Sequence, residues 1–210
     1  MGSSPSLLKD LKYCPFKNKD KLDITNYRPI SILPVISKVY EKVFYNRLWN
    51  YFSVNNLLSS QFSFRSGAST EHTLLKFSDD ILKLFDQKKV AIATFMDLSK
   101  AFDCVYHNIL LSKLKQYGIH ETTLQWINSY LSDCKHFVSW NQSHSSLLNL
   151  NIGVPQGSIL GPLLFLIYIN DIVNSSNIVS FVLFADDTTV YVQLDSIDDA
   201  IQILNSELAK

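Results

Sequence analysis

Apolar positions recur at helical spacing early in the chain and at strand spacing later, which predicts a helix-rich first part and a mixed second part. After a loop-like start, the stretch from Leu33 to Phe52 sets Ile36, Tyr40, Val43, Leu48 and Tyr51 three to five residues apart, with Lys38, Lys42 and Arg47 between them. That pattern predicts an amphipathic helix. A turn-rich patch from Ser59 to Gly67 separates it from a second helix starting near Thr70, with Leu74, Phe77, Ile81 and Phe85 on one face. Lys88 and Lys89 place positive charge at its C-terminal end. Val90 to Leu98 is apolar and β-branched and reads as a buried strand with Asp97 at its exit. Two shorter helices follow, from about Tyr106 to Tyr117, ended by Gly118, and from about Glu121 to Ser132.

Beyond these, His136 to Trp140 and Leu147 to Asn151 flank the polar Asn141-Gln142-Ser143-His144, a hairpin signature. Gly153-Val154-Pro155-Gln156-Gly157-Ser158 reads as a loop opening an apolar helix that runs through Ile172, with Pro162 in its first turn. Two apolar runs, Phe181-Val182-Leu183-Phe184 and Thr189-Val190-Tyr191-Val192, flank Ala185-Asp186-Asp187-Thr188 and predict a hairpin with two acids at its tip. Ser196 followed by Asp199 suggests a capping box for a last helix using Ile197, Ile201, Leu204 and Leu208. There is no internal repeat, linker or clear boundary between domains.

Composition narrows the picture. A 47% hydrophobic content supports a substantial core and excludes a disordered chain. The longest apolar stretch, Leu160 to Val173, contains Pro162, Asn170 and Asp171 and falls short of the ~20 residues that span a bilayer, so no membrane association is expected. Three cysteines, Cys14, Cys104 and Cys134, carry no metal-site spacing and suggest neither zinc nor a disulfide framework. The Met1-Gly2-Ser3-Ser4-Pro5-Ser6 start matches, loosely, the pattern for myristoylation at Gly2.

Net charge is zero, but it is unevenly spread. Residues 1 to 65 hold ten Lys and Arg against four acids, so this part is cationic and the remainder anionic. A polyanion-binding segment beside a metal-binding one would look like this, as would chance segregation of surface charge. Adjacent Asp186 and Asp187 repel each other unless a cation or proton shares their site, although acids also favour turns for local hydrogen bonding. Asp97 alone could equally be a strand-end residue. Together, the three could converge on hard divalent cations such as Mg²⁺.

The motifs are more specific than the single residues. Phe95-Met96-Asp97-Leu98-Ser99-Lys100-Ala101-Phe102-Asp103, then Gly153-Val154-Pro155-Gln156-Gly157-Ser158-Ile159-Leu160-Gly161-Pro162, then Phe184-Ala185-Asp186-Asp187 resemble, in order and spacing, the core motifs of reverse transcriptases. The first two resemble those of jockey-like non-LTR retrotransposons. Asn26-Tyr27-Arg28-Pro29-Ile30-Ser31 and the stretch from Gln61 to Thr70 resemble finger motifs of the same family. The resemblance runs from about Pro15 to Leu208.

It implies an α/β (α+β) right-hand polymerase with an antiparallel palm sheet and a helical layer: an N-terminal tail over residues 1–14, mainly fingers over 15–89 and mainly palm over 90–210. It also implies an RNA-directed DNA polymerase that adds dNTPs to a DNA primer on an RNA template, with two Mg²⁺ ions, or Mn²⁺ in their place. Asp97, Asp186 and Asp187 would be catalytic, and these three with Leu98 would form the metal site. Phe102 would exclude a 2′-hydroxyl, Gln156 and Gly157 would lie beside the incoming nucleotide, and Lys17, Arg28 and Arg65 would grip phosphates. The family further implies nuclear and cytoplasmic locations. Two positions depart from its pattern: Ser63 stands where a glycine is usual, and Tyr106 where an acid is common. The sequence ends before any thumb and carries no endonuclease region, so a larger element protein is expected. The alternatives are a decayed copy that binds nucleic acid without catalysis and an RNA-templated RNA polymerase.

Overall fold

A computed structural model describes residues 10–17, 27–58, 61, 63, 70–87, 89–140 and 143–209. The myristoylation pattern, Arg65, Lys88 and the Asn141-Gln142 turn lie outside them. In chain order the elements are β1 (Asp10–Lys17), β2 (Tyr27–Ile32), α1 (Val35–Val54), α2 (Thr70–Asp86), β3 (Val90–Asp97), α3 (His107–Gln116), α4 (Glu121–Leu131) and β4 (Lys135–Trp140). There follow β5 (Ser143–His144), β6 (Leu148–Asn149), α5 (Gly161–Ile169), β7 (Ser180–Phe184), β8 (Asp187–Leu194) and α6 (Ile197–Leu208). Short 3₁₀ turns occupy Ala101–Cys104 and Asn170–Asn174.

Two compact units share these elements, one formed by residues 1–57 with 100–168 and the other by 58–99 with 169–210. The second unit groups α2 with β3, β7, β8 and α6, and the first groups α3 and α4 with β1, β2 and α1.

In the first unit the expected loop-like start is instead two strands. β1 pairs antiparallel with β2 and parallel with β4, and Asp10 lies opposite Lys135. Pro15 and Pro29 suggest a loop, yet they share one rung and lie past the end of the β1–β4 pairing at Tyr13. Their missing donors therefore fall where the ladder asks least of them.

Helix α1 forms near its expected limits but turns a different face inward. Ile36, Tyr40 and Val43 are 57%, 49% and 50% exposed, whereas Ser37, Glu41, Leu48 and Phe52 are buried. Glu41 decides the rotation. Its Oε2 accepts the Ile159 N–H at 2.6 Å and the Leu160 N–H at 3.4 Å, and its Oε1 accepts the Tyr130 hydroxyl at 3.0 Å. These donors lie just before α5, so the carboxylate satisfies backbone groups that a helix start leaves unpaired. Burial pushes the Glu41 carboxyl above its ordinary value, while the Ile159, Tyr130 and Leu160 hydrogen bonds pull the other way. Burial, and then the Glu41 charge, also hold the Tyr130 hydroxyl in its neutral form.

The second unit is built on an antiparallel sheet in the order β3-β8-β7. Val179, Val190, Val192, Ala200 and Leu204 form its core, flanked by Ile92, Met96, Phe181, Leu194 and Ile203. Strand β3 is an edge strand and only half-buried, not the buried strand its composition suggests. Helix α6 starts after Ser196, whose side chain makes no cap hydrogen bond, so the expected capping box does not form. It packs through Ala200 and Leu204, leaving Ile197, Ile201 and Leu208 57%, 45% and 42% exposed. Alanine at the contact lets the helix backbone approach the sheet. On the opposite face, α2 is held by Phe77, whose ring meets Phe95 and Tyr191 edge-on, and by the Tyr191 hydroxyl, which donates to Asp80 at 2.6 Å.

Removing Glu41 leaves the Ile159 and Leu160 N–H groups without this acceptor and takes one hydrogen bond from the buried Tyr130 hydroxyl. Glu41→Ala should cost ~3 kcal/mol or more in urea unfolding, and Glu41→Gln less, because the amide keeps one acceptor. A carboxyl raised above 4.5 in the folded state adds stability below that value and loses it as pH rises through the folded pKa. The stability of the parent relative to Glu41→Gln should therefore fall as pH is raised from about 4.5. A difference that grows with pH would contradict the buried placement.

Candidate active site

The tip of the β7–β8 hairpin is tighter than the sequence suggests, with only Ala185 and Asp186 between the strands and Asp187 already the first residue of β8. Ala185 adopts φ +55, a left-handed conformation that costs a non-glycine residue ~1 kcal/mol and that a small side chain tolerates best. The Leu98 N–H reaches the Asp186 carbonyl at 3.4 Å and joins the exit of β3 to this turn.

Register brings the acids together. Asp97 on β3 and Asp187 on β8 are direct antiparallel partners, so their side chains lie on one face with Cβ atoms about 5 Å apart. Both line an open cavity of about 460 Å³ beside Phe95, Phe184 and Thr189, with Thr70, Thr73 and Leu74 of α2 opposite. Asp186 is half-buried in the turn and is not part of that lining. Among the described residues, no group of three His, Cys, Asp or Glu is gathered as a ready metal cage. None of the three carboxylates takes a hydrogen bond or ion pair from another described residue. Paired oxygen donors with no cationic partner among the described residues are the donor set a hard divalent cation prefers, so the residues present fit such an ion.

The loop from Gly153 to Ser158 belongs to the first unit and is fixed by backbone contacts. The Gly153 N–H donates to the Val105 carbonyl and the Val154 N–H to the Phe102 carbonyl, each at 2.8 Å. Gln156 donates through Nε2 to Asp103 Oδ1 at 3.1 Å, and its carbonyl accepts the Ser31 N–H at 2.8 Å. Gly157 has φ +96, and a Cβ there would stand 3.1 Å from the Ser31 carbonyl oxygen. Only glycine meets both demands. The Phe102 ring is half-buried and stacks on Phe165 with centroids 4.9 Å apart.

Of the basic candidates, Lys17 and Arg28 occupy neighbouring rungs at one end of the β1–β2 ladder, where Lys17 pairs with Tyr27 and Phe16 with Arg28. Arg65 lies outside the described residues. Two residues with structural work at these loops, Glu41 and Asp103, escape a reading of the sequence, and a third, Ser63, shows there only as a departure from the usual glycine. Glu41 is masked by the apolar stripe beside it, and Asp103 sits inside a motif whose other acid draws the attention. Ser63 is buried, and its Oγ accepts the Ala185 N–H at 2.7 Å. Its signal is the departure from glycine at that position.

Gly157→Ala should cost ~1–2 kcal/mol in chemical denaturation, combining the left-handed backbone with the contact to Ser31. A neutral effect would show that the loop does not press on β2.

The model for the family "Reverse transcriptase (RNA-dependent DNA polymerase)" matches residues 16–210. A probable RNA-directed DNA polymerase from transposon BS of Drosophila melanogaster is 38% identical over 70% of this chain, which spans 16% of that protein. The RNA-directed DNA polymerase from mobile element jockey of Drosophila funebris is 32% identical over 90% of this chain, which spans 22% of it. Telomerase from Candida tropicalis, solved with a fragment of telomeric RNA, superposes with TM-score 0.67 at 13% identity, covering 97% of this chain and 38% of its own. With the motifs in order and the fold in common, the chain belongs to the reverse transcriptase (RNA-dependent DNA polymerase) family, as a domain of the non-LTR retrotransposon kind.

Proposed function

We propose that this chain carries the nucleotidyl-transfer centre of an RNA-directed DNA polymerase, which joins deoxynucleotides to a DNA primer 3′-hydroxyl along an RNA template. The observation that carries the reading is the pairing of Asp97 with Asp187 on one rung, open to a cavity and without a cationic neighbour among the described residues. In this reading the β3-β8-β7 sheet is the palm. Asp97, Leu98, Asp186 and Asp187 would hold two divalent cations, Mg²⁺ or Mn²⁺. When bound, such ions stabilise charge on the attacking oxygen and on the departing pyrophosphate.

The remaining roles belong to the chain itself. Phe102, braced by Phe165, forms a wall against the sugar and excludes a 2′-hydroxyl by bulk. Gln156 and Gly157 bring backbone close to the incoming nucleotide, and the tie from Gln156 to Asp103 keeps that loop in place before substrate arrives. Lys17, Arg28 and Arg65 supply phosphate contacts from the cationic first part of the chain, and arginine suits them because its planar fork meets two oxygens at once.

Primer extension on an RNA template with Mg²⁺ tests the centre. The parent should extend, while Asp97→Asn and Asp186→Asn should each lose at least about a hundredfold in rate with an unchanged melting temperature. Calorimetric Mn²⁺ binding should weaken in parallel. Activity near the parent level in either variant would refute the metal-ligand role, and no extension by the parent would favour a chain that only binds nucleic acid.

Sugar selection is tested separately. Phe102→Val should raise ribonucleotide incorporation, relative to deoxynucleotide, by roughly 10- to 100-fold. Unchanged selectivity would leave Phe102 a packing residue.

A further inference from the structure

Ser63 is 2% exposed and lies beside Gln61, which is fully buried and pairs with Leu183 of β7 through a parallel bridge. Gln61 therefore lies beside the strand that ends at the hairpin tip. The Ser63 hydroxyl donates to Gln61 Oε1 at 3.2 Å and its oxygen accepts the Ala185 N–H at 2.7 Å. The relay has one direction, because a backbone N–H can only donate.

Ala185 is 7% exposed, so its N–H has little access to water and needs a partner within the protein. It is also the residue that adopts φ +55 to make the two-residue turn. A hydrogen bond to this N–H holds the one peptide whose relaxation would swing Asp186 and break the contact between the Leu98 N–H and the Asp186 carbonyl. Alanine or glycine at position 63 offers no side-chain acceptor.

We infer that Ser63 is a positioning residue that locks the Ala185–Asp186 turn and, through it, sets the aspartates of the hairpin and the metal they take; this rests on the polymerase reading above. The role is confined to one hydroxyl and one N–H, which makes it separable from general packing.

The test compares the parent, Ser63→Ala and Ser63→Thr in the full chain, following amide hydrogen exchange at Ala185 and the Mg²⁺ concentration that gives half-maximal primer extension. Ser63→Ala should speed Ala185 exchange about tenfold or more, the scale of one lost hydrogen bond, without a matching change at amides of α6 such as Leu204. It should also raise the Mg²⁺ requirement while leaving KM for the primer-template unchanged. Ser63→Thr keeps the oxygen and should restore both. Unchanged Ala185 exchange in Ser63→Ala, an unchanged Mg²⁺ requirement, or failure of threonine to restore either one overturns the assignment. If Ser63→Ala does not fold, Ser63→Cys, whose sulfur is a poor acceptor of similar size, carries the same comparison. A parent that extends no primer refutes the polymerase reading instead, and Ala185 exchange then decides by itself whether Ser63 holds the turn.

Discussion

Two carboxylates on one rung of an antiparallel ladder repel each other. At the ~5 Å between such partners the repulsion amounts to about 1 kcal/mol in water and about 3 kcal/mol at the effective dielectric of a protein surface. The β3-β8-β7 sheet absorbs this because Asp97 and Asp187 terminate their strands, while further along β8 Val190 and Val192 join Ala200 and Leu204 of α6 in the apolar core. Burying side chains of that size contributes ~1.5–3 kcal/mol each, so a few of them outweigh the cost of the acidic rung. The sheet can therefore hold a pair of like charges in register.

The first unit contains a second acid under the opposite condition. Glu41 is wholly enclosed, and its charge is matched by donors at Ile159, Leu160 and Tyr130. Asp97 and Asp187 are open and, among the described residues, unmatched, which suits a ligand, whereas Glu41 is closed and satisfied, which suits scaffolding. The distinction comes from surroundings alone, since the side chains are chemically alike. What Glu41 supports is the backbone just before α5, next to the loop that presents Gln156 and Gly157.

The parts legible in the sequence are those governed by local spacing. The limits of α1, α3 and α4, the stop at Gly118 and the acidic hairpin all follow from residues close together in the chain. Helix faces were harder to read, because α1 is turned by a buried carboxylate and α6 by a small residue against the sheet, and neither effect leaves an apolar stripe. Strands β1 and β2 were hidden by prolines and by a pairing that joins Asp10 to Lys135, far along the chain. The candidate site was legible as motifs but not as geometry. Nothing in the spacing distinguishes Asp187, which opens the cavity, from Asp186, which sits in the turn.

Backbone strain offers an independent view of the same loops. Among the described residues, positive φ occurs at Lys100 within the first motif, at Gly153 and Gly157 within the second, and at Ala185 within the third. Of the remaining cases, Asn56, Gly118 and Asp133 lie just past helix C-termini, where a left-handed residue is an ordinary way to stop, and Glu121 is the first residue of α4. Lysine and alanine pay for the conformation that glycine adopts freely, and Ala185 does so with its N–H held by a hydroxyl from a distant segment. Strain of this kind persists only where surrounding contacts over-determine it. Its presence at Lys100 in the first motif and at Ala185 in the third shows that the fold spends stability on the shape of these two loops.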